Sequence, residues 1–378
     1  MSEYQYYEFR AVDRPLSRTE QGELRAISSR AQINASGFVN HYEWGDLKGD
    51  PDRLMERYFD LFLYLANWGT RRLSMRLPRR LVDAAGLKRF VISNEIATIR
   101  TAGENLIVDV VRDEIEIEDW NDGGGRLEAL SALRENILDG DLRLFYLVWL
   151  MALESDEAPD DALEPMAGLG PLTQSLKAFA QFFCIDGDLV AAAVAGDTPV
   201  HSVVEPPRPA VARVIDNLDE REKAAYLLRL YDGDPHLRAE LRRRCRVPTS
   251  RVEDRQARRT AGELRATAHR LAEERRRAEA ERQQVAERKQ RQKEEKAKSI
   301  RLDALAERGE AAWRNVENLI ALRNNPSYNK AVALLSDLRD LALRQGTDDE
   351  LHHRLREIRT RHRTKPRLIE RLTAASLD

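Results

Sequence analysis

The chain has 378 residues, 33% of them charged, and a formal net charge of −2; at that length one compact core is improbable, and two or three domains are expected. Two cysteines, Cys184 and Cys245, exclude a disulfide framework and suit a reducing compartment. The opening MSEYQYYEFR lacks a basic-then-apolar leader, and the most apolar run, 142–153, is too short to span a bilayer and contains Arg143, so a cytoplasmic protein without a membrane partner is expected.

The N-terminal part alternates between strand and helix signals. Aromatic-rich residues 4–11 predict a strand, and Ser17 with Glu20 is a capping-box pair opening a helix to about Ser29. Residues 33–44 return to strand-like composition. Residues 49–69 predict one buried helix, the core of a first domain: Asp50 can cap it, Pro51 suits its first turn, Gly69 can stop it, and Leu54, Tyr58, Leu61, Phe62 and Leu65 form a stripe. In 72–77, Leu73, Met75 and Leu77 alternate with Arg72, Ser74 and Arg76, which predicts a half-buried strand. An apolar run over 106–111 follows. Glu114, Glu116 and Glu118 then alternate with Ile115 and Ile117, predicting a strand with one acidic face. With no His, Cys or positioned Lys beside it, that row reads as a charged edge rather than a metal or acid cluster.

The segment NDGGG at 121–125 reads as a joint, not a phosphate loop, because no Lys-Ser/Thr follows it. Beyond it, helices are predicted at 127–138, 141–154, 172–183, 188–195, 219–231 and 235–246, with the proline-rich 205–209 as a break. The second of these is apolar on almost every face and belongs inside a helical layer. Residues 249–300 predict one long helix that opens on a Ser250/Glu253 capping box and is rich in good helix formers. Leu264, Leu271, Ala278 and Val285 repeat every seven, but Arg275, Arg282 and Lys289 fill the companion seam. A partial coiled coil, or docking of the first half on another domain, is expected, with the second half in water. Residues 301–378 predict a small helical cap. Its first helix carries Leu302, Leu305, Trp313, Val316 and Ile320, a second ends at Gly346, a third carries Leu351, Leu355 and Ile358, and a fourth starts at Pro366. The fold class is therefore an α+β N-terminal domain followed by a mainly α part with a long charged helix and a small C-terminal helical domain. The expected divisions are 1–125, 126–248, 249–300 and 301–378.

The opening YQYYEFRAVDRPL (4–16), GDLRLFYLVWL (140–150), KAVALLSDLRDLA (330–342) and KPRLIERL (365–372) resemble segments of a family of uncharacterised bacterial cytoplasmic proteins of unknown function. The resemblance implies a bacterial, multidomain protein and brings no catalytic motif, cofactor or site residue with it.

The charge is unevenly distributed. Residues 101–200 carry 5 basic and 21 acidic groups, net −16, whereas 238–300 carry 21 basic and 11 acidic, net +10. There is no P-loop, dinucleotide fingerprint, paired-cysteine zinc pattern or HExxH, and no cofactor or metal is expected. His352 and His353 are adjacent, project about 100° apart on a helix and do not easily share a metal. Three functions stay open. The first is a non-enzymatic scaffold or adaptor working through protein–protein contacts. The second is a nucleic-acid-associated protein in which Arg242, Arg243, Arg244, Arg246, Arg275, Arg276 and Arg277 neutralise phosphates. The third is an enzyme with a site scattered over the first domain, such as His41, Glu43 and Arg72. The absence of motifs ranks the adaptor first. Leu264 and Leu271 could seed a homo-oligomer or dock on the body, and the basic stretch could equally meet the chain's own acidic region.

Overall fold

The structure, a computed structural model, describes residues 3–116, 122–195, 206–245 and 258–377. The chain divides into two compact units, 1–275 and 276–378.

Seven strands of the first unit form one antiparallel sheet: β1 (Gln5–Arg10), β2 (Gln32–Asn34), β3 (Gly37–Tyr42), β4 (Leu61–Ala66), β5 (Arg71–Pro78), β6 (Ala97–Ala102) and β7 (Asn105–Arg112), in the order β2-β3-β1-β4-β5-β7-β6. Three short helices accompany it: α1 (Arg18–Ile27), α2 (Pro51–Arg57) and α3 (Ala84–Lys88). The expected Ser17/Glu20 capping box opens α1. On the outer face, Phe9, Phe38 and Phe62 pack with Leu24, Leu54 and Met55 of α1 and α2. On the inner face, Leu63, Leu73, Met75 and Val108 join a larger core.

The buried helix expected over 49–69 is a correction. Asp50 and Pro51 do start α2, but the helix stops at Arg57, and 61–66 is the strand β4, paired with β1 on one side and β5 on the other. Leu61, Leu63 and Leu65 face inward while Phe62 and Tyr64 face outward. A strand covered on both faces is apolar throughout, so its sequence has no alternation to separate it from a buried helix. Gly69 closes the β4–β5 turn rather than a helix. Its φ is +99°, and a Cβ there would lie 2.6 Å from the backbone N and O of Ile115. Gly69→Ala is expected to cost about 2 kcal/mol or more, combining left-handed strain with a backbone clash; an unchanged urea midpoint would remove this account of the turn.

The acidic-faced strand expected at 114–118 is a second correction. The chain leaves the sheet after Arg112, Glu114 takes φ +56°, and the Ile115 amide donates to Gly69 O at 3.2 Å. Ile117 and Glu118 lie outside the described residues. The triglycine is closely packed at one point: a Cβ on Gly123 would lie 2.6 Å from the Tyr6 ring.

The helices of the first unit are α4 (Arg126–Leu138), α5 (Arg143–Glu154), α6 (Gln174–Phe182), α7 (Gly187–Val194), α8 (Arg208–Asp216), α9 (Glu220–Tyr231) and α10 (Leu237–Cys245). All but α8 are predicted by the sequence pattern. Residues 143–153 of α5 are all buried, as its all-round apolarity requires. One core joins sheet residues such as Leu63 and Leu73 to Phe145 and Trp149 of α5 and Phe179 of α6, so segments 1–125 and 126–248 are packed on each other.

The long helix is α11 (Ala261–Arg308). The Ser250/Glu253 capping box lies outside the described residues. At the described start, Thr260 Oγ1 accepts from the Glu263 amide at 3.2 Å and Glu263 accepts from the Thr260 amide at 2.8 Å. The first turns bury Ala261 and Leu264 in the core of the first unit, with Leu271 packed against them, while residues 274–301 are exposed. Leu264 and Leu271 thus pack within this unit, the docking on the body expected from the sequence as one of two alternatives.

In the second unit, Gly309 (φ +46°) separates the end of α11 from α12 (Glu310–Ala321), so the single helix expected through Ile320 is two. Then come α13 (Asn325–Gln345), ended by Gly346 at φ +71°, α14 (Asp348–Arg361) and α15 (Pro366–Ala374). Val316, Leu335, Leu355 and Leu368 lie in their common core.

Candidate functional site

The outer face of the sheet carries a cleft of about 440 Å³ between α2 and the ends of β5 and β7, lined by Tyr7, Phe62, Tyr64, Thr70, Arg72, Asp109 and Asp113. Alternation along β1, β4, β5 and β7 brings these side chains to one face. Arg72 donates through Nε to Asp109 at 2.7 and 3.0 Å, pairs with Asp52 and lies over the Phe62 ring. The hydroxyls of Tyr7 and Tyr64 both donate to Gln5 Oε1 at 2.8 Å, and Gln5 donates on to Asp46 and Gly45 O. Burial, reinforced by the Asp46 charge, pushes the Tyr7 hydroxyl up to about 12; burial and the Tyr7 hydroxyl push Tyr64 up as well. Both phenols therefore stay protonated near neutral pH and act as donors. Arg72 is held between the carboxylates of Asp52 and Asp109, and the Thr70 hydroxyl donates to Asp113 at 2.6 Å.

The scattered enzymatic set is not brought together. Tyr6 is the register partner of both His41 and Leu65, so His41 shares the inward-facing side, whereas Arg72 shares the outward side with Tyr64. His41 is exposed and stacked on Tyr4, and Glu43 lies exposed beyond the end of β3. Among the described residues, no group of three His, Cys, Asp or Glu side chains could hold a metal ion, and no helix is long and apolar enough to cross a membrane.

A His–carboxylate pair does form where the sequence gives no signal for it. His236, at the start of α10, lies 3.0 Å from Asp13 Oδ2, and Arg134 of α4 grips both oxygens of Asp13 at 2.8 and 2.7 Å. Arg134 also donates to Arg76 O at 2.8 Å, and the buried Asp60 pairs with Arg76 and accepts the amides of Val12 and Asp13. Burial pushes the Asp13 carboxyl up, but the His236 hydrogen bond and the Arg134 charge outweigh it and hold it well below the usual carboxylate range. The three side chains clamp the segment after β1 to α4 and to the start of α10.

The arginines expected to grip phosphates are distributed as follows. Arg242 pairs with Asp139 at 2.8 Å, Arg244 with Glu222 at 3.3 Å, and Arg275 with Asp188 at 2.7 Å. Arg243 lines a hollow with Arg79 and Arg80. Arg276 and Arg277 are on the exposed stretch of α11, and Arg246 lies outside the described residues. Two further arginines follow the pattern of the first set. Arg265 pairs with Asp160, and Arg259 pairs with Glu164 at 3.0 Å while donating to the carbonyls of Ala192 and Ala193. The basic start of α11 and the acidic 101–200 region thus meet inside the first unit.

Four large apolar side chains stand exposed within five residues on α9. Leu227, Leu228, Leu230 and Tyr231 are 66%, 64%, 62% and 89% exposed, and α9 buries none of its residues. The opposite side of the helix is tied down by polar contacts: Tyr226 donates to Glu240 at 2.7 Å, and Arg229 pairs with Asp234 and Glu240. Ala224, Leu227, Leu228 and Tyr231 stand at i, i+3, i+4 and i+7, the spacing of a helix face that enters a groove. The sequence pattern of α9 shows this amphipathic spacing but not that the fold leaves the apolar side uncovered. Comparisons with protein-family models, with curated proteins and with solved structures found no match for this chain.

Proposed function

We propose that this chain is a non-enzymatic adaptor that works through protein–protein contacts, with the apolar face of α9 inserted into an apolar groove of a partner protein. The observation that carries this reading is the cluster of four large apolar side chains within five residues, each more than 60% exposed. Isolated exposed leucines need no explanation, but a contiguous apolar patch on a helix with groove-binding spacing marks a contact surface. The pairing of Arg242, Arg244 and Arg275 with carboxylates favours the adaptor over nucleic-acid binding, since phosphates would have to displace those carboxylates. Two free cysteines accord with a cytoplasmic setting.

Leu228→Glu and Tyr231→Ala are the tests. Both side chains face solvent, so thermal unfolding is expected to change by no more than about 0.5 kcal/mol, while co-purification of a specific protein from source cells is expected to fall by about tenfold or more. Recovery of the same proteins by wild type and both variants would sink the proposal. So would retention on nucleic acid at low salt with no protein partner recovered.

A further inference from the structure

Strand register builds the outer-face cleft. Tyr7 of β1, Tyr64 of β4, Arg72 of β5 and Val111 of β7 stand side by side across four strands. Thr70 and Asp113, just before the start of β5 and just past the end of β7, meet beside that row. The volume of about 440 Å³ lies within the span of roughly 300–1,000 Å³ usual for small-ligand sites.

The hydroxyls that line it are already committed as donors. Those of Tyr7 and Tyr64 both give their protons to Gln5 Oε1, and that of Thr70 gives its proton to Asp113 while accepting from Trp68 Nε1 at 3.0 Å. Charge is unbalanced in the same sense. Arg72 is shared between Asp52 and Asp109, and Arg100 between Asp52 and Glu56. Asp113 is exposed and, among the described residues, no cation pairs with it; the same holds for Asp46, which accepts from Gln5. Both carboxylates add to burial and to the Tyr7 hydroxyl in pushing the Tyr64 hydroxyl up, so their fields converge on one half-buried ring. Acceptors, surplus negative charge and an aromatic face within one cleft are matched by a cation rich in donors.

We propose that this cleft binds a primary alkylammonium group, the ammonium donating to Asp113 and lying against the Tyr64 ring, with the alkyl stem along Val111 and Pro51. An ammonium brings three N–H donors and no acceptor, the complement of a lining whose hydroxyl protons are taken. The stem covers apolar lining, which adds to what an ion pair at a wet surface supplies. An anion of the same size meets Asp113 unpaired and is refused.

The test is calorimetric titration of the purified full chain at low salt. The probes are butylammonium, its uncharged counterpart 1-butanol, and Nα-acetyl-lysine amide, which presents the same group as a protein side chain does. Butylammonium is expected to bind about tenfold or more tighter than 1-butanol, and about tenfold more weakly to Asp113→Asn than to wild type. That substitution keeps an acceptor for the Thr70 hydroxyl, so the thermal midpoint should not move. Glu104→Gln removes an exposed carboxylate in the β6–β7 turn and should leave the affinity unchanged, which separates the cleft from general attraction to an acidic surface. Whichever ammonium probe binds tighter identifies the source the site serves, a free amine or a protein lysine. Butylammonium binding no tighter than 1-butanol, no binding of either ammonium probe, equal affinity in wild type and Asp113→Asn, or an equal loss in Glu104→Gln would overturn the proposal.

Discussion

Glu164→Ala is expected to destabilise the first unit by about 3 kcal/mol. Glu164 is 2% exposed and accepts four donors: the Tyr146 hydroxyl at 2.5 Å, and the Arg259 amide, Nη2 and Nε at 2.9, 3.0 and 3.3 Å. Removing the carboxylate leaves a phenol and a guanidinium without the group they were folded around. Arg259 is also the residue through which the chain enters α11, and the backbone there is tied by Glu164 N–H to Arg259 O at 2.9 Å and Ala261 N–H to Ala162 O at 2.8 Å. Faster amide hydrogen exchange is therefore expected over 259–265 before the core of α5 is affected. Arg259→Ala should be nearly as costly, and the double variant less costly than the sum by more than about 1 kcal/mol, because the two residues act as one unit. Additive urea-denaturation values would show that the carboxylate and guanidinium do not depend on each other.

The second large effect is at the buried clamp. Arg134→Met is expected to cost about 3–5 kcal/mol, since it takes the guanidinium from Asp13, leaving it with His236, and leaves Asp60 with Arg76 as its remaining close cation. Adding Asp13→Asn should recover part of that loss by removing one of the carboxylates left short of a cation. The same carboxyl gives a pH signature. Asp13 is held below the usual range in the folded chain, so on acidification the unfolded chain takes up the proton first. Its contribution is complete above about pH 4, the range of a free aspartate, and is lost progressively as the pH falls further. Urea midpoints at pH 7, 5 and 3.5 should fall less steeply for Asp13→Asn than for wild type; parallel acid limbs would show that Asp13 does not contribute the linkage.

Local chemistry made much of the framework readable from the residues alone. The Ser17/Glu20 capping box, the alternation of Leu73, Met75 and Leu77, the all-round apolarity of α5, and the stops and starts at Gly346 and Pro366 involve neighbours within a few positions, and each appears where expected. The same local reasoning failed for residues 61–66. Their helical stripe was an accident of a strand buried on both sides, and the choice was made by hydrogen bonds to β1 and β5. It also passed over α8, whose nine residues include none that are buried.

The partners of charged groups were decided by the tertiary structure. The imbalance between the acidic 101–200 region and the basic 238–300 stretch was plain in the composition, but not that Arg242, Arg259, Arg265 and Arg275 would be matched with Asp139, Glu164, Asp160 and Asp188. His236 meets Asp13 across 223 positions, and Arg71 meets Cys184 across 113. A charge carries no record along the chain of which distant group will neutralise it, and an apolar face none of whether it will be covered. Residue type, spacing and caps fixed where this chain bends into helices and most of its strands; which cations are satisfied, and that α9 is left open to solvent, depended on how those pieces packed.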